Sequence, residues 1–145
     1  MIYATGYNVS FPFMDETVIK VENNHVPLYK RVFSPGIPNL FFMALAQPLP
    51  TLVNFAEQQM KLVGAYLTGK YALPDDAQMK EVIKADEDMY TGHFYESARH
   101  TMQLDFNKYI WDMEREIKRG AKRAKSKPGL PVPARAQHVG SVAAE

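Results

Sequence analysis

The chain of 145 residues contains no cysteine and a single tryptophan, Trp111. The first absence removes disulfide staples, thiolate metal sites and thiol nucleophiles together. It fits a reducing cytoplasm, the compartment expected for the protein. Long apolar runs are missing too: no stretch approaches the roughly 20 residues that a membrane span needs, and no basic region precedes an apolar one near Met1, so there is no signal-peptide pattern. Net charge is only +1, too small for a global field that gathers nucleic acid or anionic lipid. Gly-x-Gly-x-x-Gly occurs nowhere, which excludes the phosphate-cradling turn on which a dinucleotide rests. Metal-ligand spacing is equally absent: His25, His93, His100 and His138 are scattered, and the one pair seven apart has no His-Glu-x-x-His between its members.

What is present is ordinary globular material, 46% hydrophobic and 12% aromatic, enough for one domain with a core. Residues 1–123 read as that domain. Residues 124–145, basic and rich in proline and alanine, read as a disordered tail that cannot bury enough surface to order itself.

The opening run Ile2 to Asn8 reads as a short buried strand breaking into a turn at Thr5-Gly6. Such a strand belongs in a parallel sheet with neighbours on both sides, so the chain is expected to be the carboxyl-terminal part of a larger domain. Thr17 to Val21 and Val26 to Phe33 form the arms of a predicted hairpin about Asn23-Asn24, residues that tolerate left-handed angles. Ser34 to Asn39 is a turn cluster. It feeds the apolar run Phe41 to Ala46, predicted as a strand buried on both faces. Pro48 and Pro50 end that strand, and the apolar spacing from Leu52 to Leu67 predicts a helix begun by Thr51 and stopped at Gly69. A second helix opens at Pro74-Asp75-Asp76, where Asp75 caps it, and ends near Tyr90-Thr91-Gly92. A third runs from Asp105 to Arg123, with Phe106, Ile110, Met113 and Ile117 as its apolar stripe and Arg115, Lys118, Arg119 and Lys122 across from it. Eight cations against four anions make this helix and its extension locally +4. The acids interleave at ordinary surface-helix spacing, so a solvated face is the reading and no nucleic-acid partner is expected.

Four segments, in order, resemble one family. Tyr3-Ala4-Thr5-Gly6-Tyr7 followed by Phe11-Pro12-Phe13 is similar to the ATGY segment of flavin-containing monooxygenases, the class that includes Baeyer-Villiger-type relatives. Leu28 to Phe33, the run Asn39 to Ala46 ending in Gln47-Pro48-Leu49, and Glu57-Gln58-Gln59 match the same family's carboxyl-terminal region. The resemblance covers residues 1 to 123. It implies an α/β fold, the carboxyl-terminal part of a flavoprotein with two dinucleotide-binding domains, one for FAD and one for NADP, carrying a β-hairpin, a buried strand and a helical end. It also implies the family's chemistry, in which NADPH reduces FAD and a C4a-hydroperoxyflavin then oxygenates a soft nitrogen or sulfur centre, or a ketone, of a small-molecule substrate; the protein holds cofactors and excludes water.

On that resemblance Gln47 and Thr51 lie against the flavin, and Gly6 lets the turn approach a cofactor closely. Read from spacing alone, Gln47 satisfies backbone groups at a proline turn, Thr51 is a helix cap and Gly6 a turn glycine. No residue reads as a catalytic acid or base. Both glycine-rich turns of the family are missing, so the chain alone is expected to be inactive. The alternative is a noncatalytic interaction module that completes a sheet with a partner chain through its exposed edges.

Overall fold

The structure, a computed structural model, describes residues 1–2, 8–16, 18–48, 51–91 and 103–126. The opening strand, with Gly6, and the tail from residue 127 onward lie outside the described residues, as do His93, His100 and His138. The elements are β1 (Phe33–Ser34), β2 (Ile37–Phe41), β3 (Gln47–Pro48), α1 (Leu52–Leu67), α2 (Asp76–Thr91), β4 (Gln103–Leu104) and α3 (Phe106–Ser126). This is the mixed α/β arrangement expected, with a hairpin and three helices.

The Asn23-Asn24 turn forms as predicted. Both residues have positive φ, at 51° and 62°, and Glu22 and His25 exchange backbone hydrogen bonds across it at 2.7 and 3.2 Å. Two left-handed central residues match the twist of the flanking chain. The arms do not extend into the predicted ladder, however. The second is interrupted at Lys30-Arg31, again with positive φ at 51° and 58°, where the Val32 amide donates to Tyr29 O at 3.1 Å. The chain therefore doubles back before entering β1.

The apolar run beyond the turn cluster also differs from expectation. The strand is Ile37–Phe41, not Phe41 to Ala46, and it pairs antiparallel with β1. Ala44, three residues past its end, takes a left-handed φ of 59°. Phe41 packs against the core of Phe33 and Tyr66, while Leu40 and Phe42 pack with Ile19, Val26 and Leu28, so the run is covered on both sides as far as Phe42, and Met43 is exposed. Parallel pairing does occur, one segment later: β3 runs alongside β4, with Gln47 opposite Gln103 and Pro48 opposite Leu104.

All three helices start as read, each with a side-chain oxygen accepting from the amide three residues on. Thr51 Oγ1 takes Asn54 N at 3.2 Å, Asp75 Oδ1 takes Gln78 N at 2.8 Å, and Asp105 Oδ1 takes Lys108 N at 3.0 Å. Gly69, at φ 71°, closes α1. On α3 the buried stripe is Tyr109, Met113, Glu116 and Gly120. The predicted stripe is thus rotated: Phe106, Ile110 and Ile117 lie on its shoulder, half-buried. The helix also continues through Ala124 to Ser126, into the stretch read as tail.

Phe33 sits at the centre of the core. Its ring meets Phe41 edge-on at 5.6 Å and Tyr66 at 5.3 Å, and stacks on Tyr71 at 6.5 Å. Phe55 and Tyr109 join α1 to α3 at 4.5 Å. Each such ring contributes about 1.5–3 kcal/mol by leaving water. Gly120 allows the closest of these approaches: a Cβ there would stand 1.9 Å from Tyr71 Cδ2.

Candidate functional site

The residues singled out in the sequence gather where β3 gives way to α1. Gln47 lies on β3, exposed, and its side chain makes no hydrogen bond among the described residues. Its amide therefore presents both a donor and an acceptor. Thr51 is the N-cap, at φ −154° and ψ 136°, also exposed, and the first turn of α1 carries no acidic side chain. The positive end of the helix is left without an anion of its own. Gln47 thus stands on β3, paired with β4, and Thr51 opens α1 four residues further on. Gly6 is outside the described residues.

This donor set is compatible with a flavin: a primary amide carries both a donor and an acceptor, as the carbonyls and ring nitrogens of the heterocycle require. No general acid or base belongs to it. A histidine-carboxylate pair lies elsewhere, where His25 Nε2 stands 2.7 Å from Glu87 Oε1 on the wall of an open groove of about 560 Å³ between the Asn23-Asn24 turn and α2. Among the described residues no group of three or more His, Asp or Glu side chains is arranged to hold a metal ion.

Two polar residues are buried where the hydrophobic spacing assigned them no core position. Gln59 is 0% exposed and bridges Arg31 O and the Ala44 amide. Glu116 is 4% exposed; it accepts from Tyr71 Oη at 2.9 Å and pairs with Arg123. Arg123 Nε in turn donates to Ala72 O at 3.0 Å. Burial, reinforced by the Glu116 carboxylate, pushes the phenols of Tyr29 and Tyr71 well above the ordinary range. A signal was available for both. Phe55, Gln59, Leu62, Tyr66 and Tyr109, Met113, Glu116, Gly120 follow the same four-three-four spacing, each with a polar residue inside a core stripe.

Helix α1 is apolar on two opposite sides. Phe55, Gln59, Leu62 and Tyr66 face the core, while Val53, Met60 and Leu67, at 78%, 65% and 46% exposure, form a ridge on the far side. Nothing lies within 4 Å of where a Cβ on Gly64 would stand, so the ridge has a notch open to solvent.

This mixed α/β fold is that of a flavin-dependent class: residues 1–130 match the family model described as flavin-binding monooxygenase-like, and the chain belongs to that family. Among its relatives, flavin-containing monooxygenase 5 of Oryctolagus cuniculus is 38% identical over 116 residues, 79% of this chain and 21% of that protein. Dimethylaniline monooxygenase [N-oxide-forming] 2 of Pan troglodytes is 37% identical over 125 residues, 84% of this chain and 23% of that protein. The solved structure of S-allyl-L-cysteine S-oxygenase from Allium sativum superposes with a TM-score of 0.63 at 28% identity, over 87% of this chain and 32% of that one. The chain spans about a fifth of the length of the curated relatives it matches.

Proposed function

We propose that this chain forms one wall of the flavin site in an FAD- and NADPH-dependent monooxygenase acting on a soft nitrogen or sulfur centre. The names of its relatives, an N-oxide-forming enzyme and an S-oxygenase, favour that substrate class over ketone insertion. One observation supports the reading: the exposed Gln47 lies on a strand paired in parallel with β4, and the exposed Thr51 that caps α1 follows it by four residues, a strand-turn-helix order of the kind at which open α/β sheets take ligands. FAD supplies the oxygen-activating chemistry when bound. The chain's own part is to hold and orient: Gln47 and Thr51 toward the heterocycle, and Gly6 where a side chain would obstruct a close approach. The pyrophosphate cradles belong to sequence that the relatives have and this chain does not span, so residues 1–145 alone turn over no NADPH. The outward ridge of α1 supports the same reading, since a helix apolar on both sides is built to be covered on both.

The test is a graft of this chain into the rabbit monooxygenase in place of the segment it matches. The graft is expected to retain FAD and to oxidise NADPH in the presence of a tertiary amine or a thioether. Gln47→Ala in the graft weakens FAD retention about tenfold, the value of one hydrogen bond to a polar heterocycle. A graft that melts like the parent yet holds no flavin sinks the proposal. NADPH turnover by residues 1–145 alone contradicts the division of labour. A noncatalytic module, the other reading of the sequence, predicts a folded graft without flavin.

A further inference from the structure

Gln59 lies on the core side of α1, wholly buried between Phe55 and Leu62. A buried primary amide must place its donors and its acceptor, and leaving them unmet costs more than the bonds return. Here Nε2 donates to Arg31 O at 3.0 Å, and Oε1 accepts from the Ala44 amide at 2.7 Å. Those backbone groups belong to the two arms of the β1–β2 hairpin, just beyond its outermost rung, from Phe42 N to Val32 O at 2.9 Å. Past that rung the arms part, because Arg31 and Ala44 both adopt left-handed backbone at φ 58° and 59°, a conformation neither residue type favours. The side-chain amide of Gln59 fills the opening as one more peptide group would, accepting from one arm and donating to the other.

The first of these arms is anchored independently. Lys30 O accepts from Tyr109 Oη of α3 at 2.8 Å, and Lys30 Nζ reaches Asp86 of α2 at 3.1 Å. The second arm is held at two points. After Ala44, a three-residue turn closes through Ala46 N to Ala44 O at 3.0 Å, and Gln47 follows at once. The bond from Ala44 to Gln59 ties the segment to α1, three residues ahead of Gln47, and the pairing of Gln47 and Pro48 with β4 ties its far end to the start of α3.

We infer that Gln59 is a positioning residue of the Ala44–Pro48 segment: it fixes the segment's start, at Ala44, and through it influences how Gln47 presents its amide to the flavin. The second half of this inference rests on the function proposed above; the first does not. The chemistry of the bridge supplies a specific test. In Gln59→Glu the protonated carboxyl keeps both bonds, its hydroxyl donating to Arg31 O and its carbonyl accepting from Ala44. The ionised form has no donor and faces a carbonyl oxygen. Burial raises such a carboxyl toward neutral pH, so this variant is held in acid and released in mild alkali. Gln59→Met fills the volume and makes neither bond.

The experiment is amide hydrogen exchange on the 145-residue chain at pH 5 and pH 8, corrected for intrinsic rates. Gln59→Met is expected to lose protection at Ala44 and Ala46 by tenfold or more, with Leu62 and Met113 within twofold of the parent. Gln59→Glu is expected to protect Ala44 and Ala46 like the parent at pH 5 and to lose that protection at pH 8. Should Gln59→Met fail to fold, the Gln59→Glu comparison decides alone, since its acid form retains both bonds. Unchanged exchange at Ala44 and Ala46 in Gln59→Met, or pH-independent exchange in Gln59→Glu, overturns the positioning role. In the flavin-loaded graft, Gln59→Met is expected to shift the flavin absorption band in the same direction as Gln47→Ala. A band moved by Gln47→Ala and untouched by Gln59→Met refutes the link between the two residues and leaves the flavin site standing. A band moved by neither shows that the flavin reading itself has failed.

Discussion

Tyr29 and Tyr71 hold their protons against alkali, and the reason is local. Both rings are buried, at 1% and 2% exposure, and desolvation penalises a phenolate first. The Glu116 carboxylate, already paired with Arg123, adds its repulsion. The sign of the resulting pH dependence is fixed. An unfolded tyrosine ionises near pH 10, while the folded pair stays neutral, so the stabilisation is complete below pH 10 and declines as pH rises above it. The decline is about 1.4 kcal/mol per pH unit for each tyrosine. Urea unfolding at pH 9, 10 and 11 measures it, with phenolate absorbance to follow ionisation. Tyr71→Phe should flatten the alkaline slope by one tyrosine's share, whatever it does to stability at pH 7. An identical slope in parent and variant would show that Tyr71 ionises freely in the folded chain.

Helices were the legible elements, because their signals are short-range. Thr51, Asp75 and Asp105 each stand where an oxygen meets the amide three residues ahead, and Gly69 ends α1 with a left-handed residue. Asp75→Ala and Asp105→Ala should each cost about 1 kcal/mol, read as equal losses in thermal or urea unfolding; a loss at one and none at the other would mean that tertiary contacts, not the cap, begin that helix. Strands were less legible. Nothing in Leu40 to Leu45 announces that the run turns at Ala44, since alanine has no preference for positive φ; the partner that the Ala44 amide finds in the turn, Gln59, lies fifteen residues away. The α3 stripe was misplaced for a related reason. Glu116 and Gly120 hold core positions that no hydrophobic count assigns them, one bonded to Tyr71 and the other making room for its ring. At the candidate site, the cap role of Thr51 was legible from spacing, whereas the pairing of Gln47 with Gln103, fifty-six residues away, is a long-range contact that no local pattern announces.

At the scale of the molecule, the outward face of α1 is the feature that the described fold does not use. Val53, Met60 and Leu67 recur every seven residues away from the core, and a polar arc with Asn54, Gln58 and the ion pair of Glu57 with Lys61 at 3.2 Å flanks them on one side. A surface helix with one partner needs one apolar stripe; this one has two. Within a longer monooxygenase the second stripe has a place to go, because four-fifths of the relatives' length lies outside the match. In the 145-residue chain it meets water or another copy. Concentration-dependent association is therefore expected in sedimentation equilibrium, and Val53→Glu with Met60→Glu should abolish it. Both positions are exposed, so the double variant should keep its stability within about 0.5 kcal/mol per substitution. A parent chain that stays monomeric at high concentration would mean that the ridge is simply solvated. A double variant that unfolds would mean that the ridge belongs to the core after all. Dispersal without loss of stability is the result that identifies α1 as a helix with an unused interface.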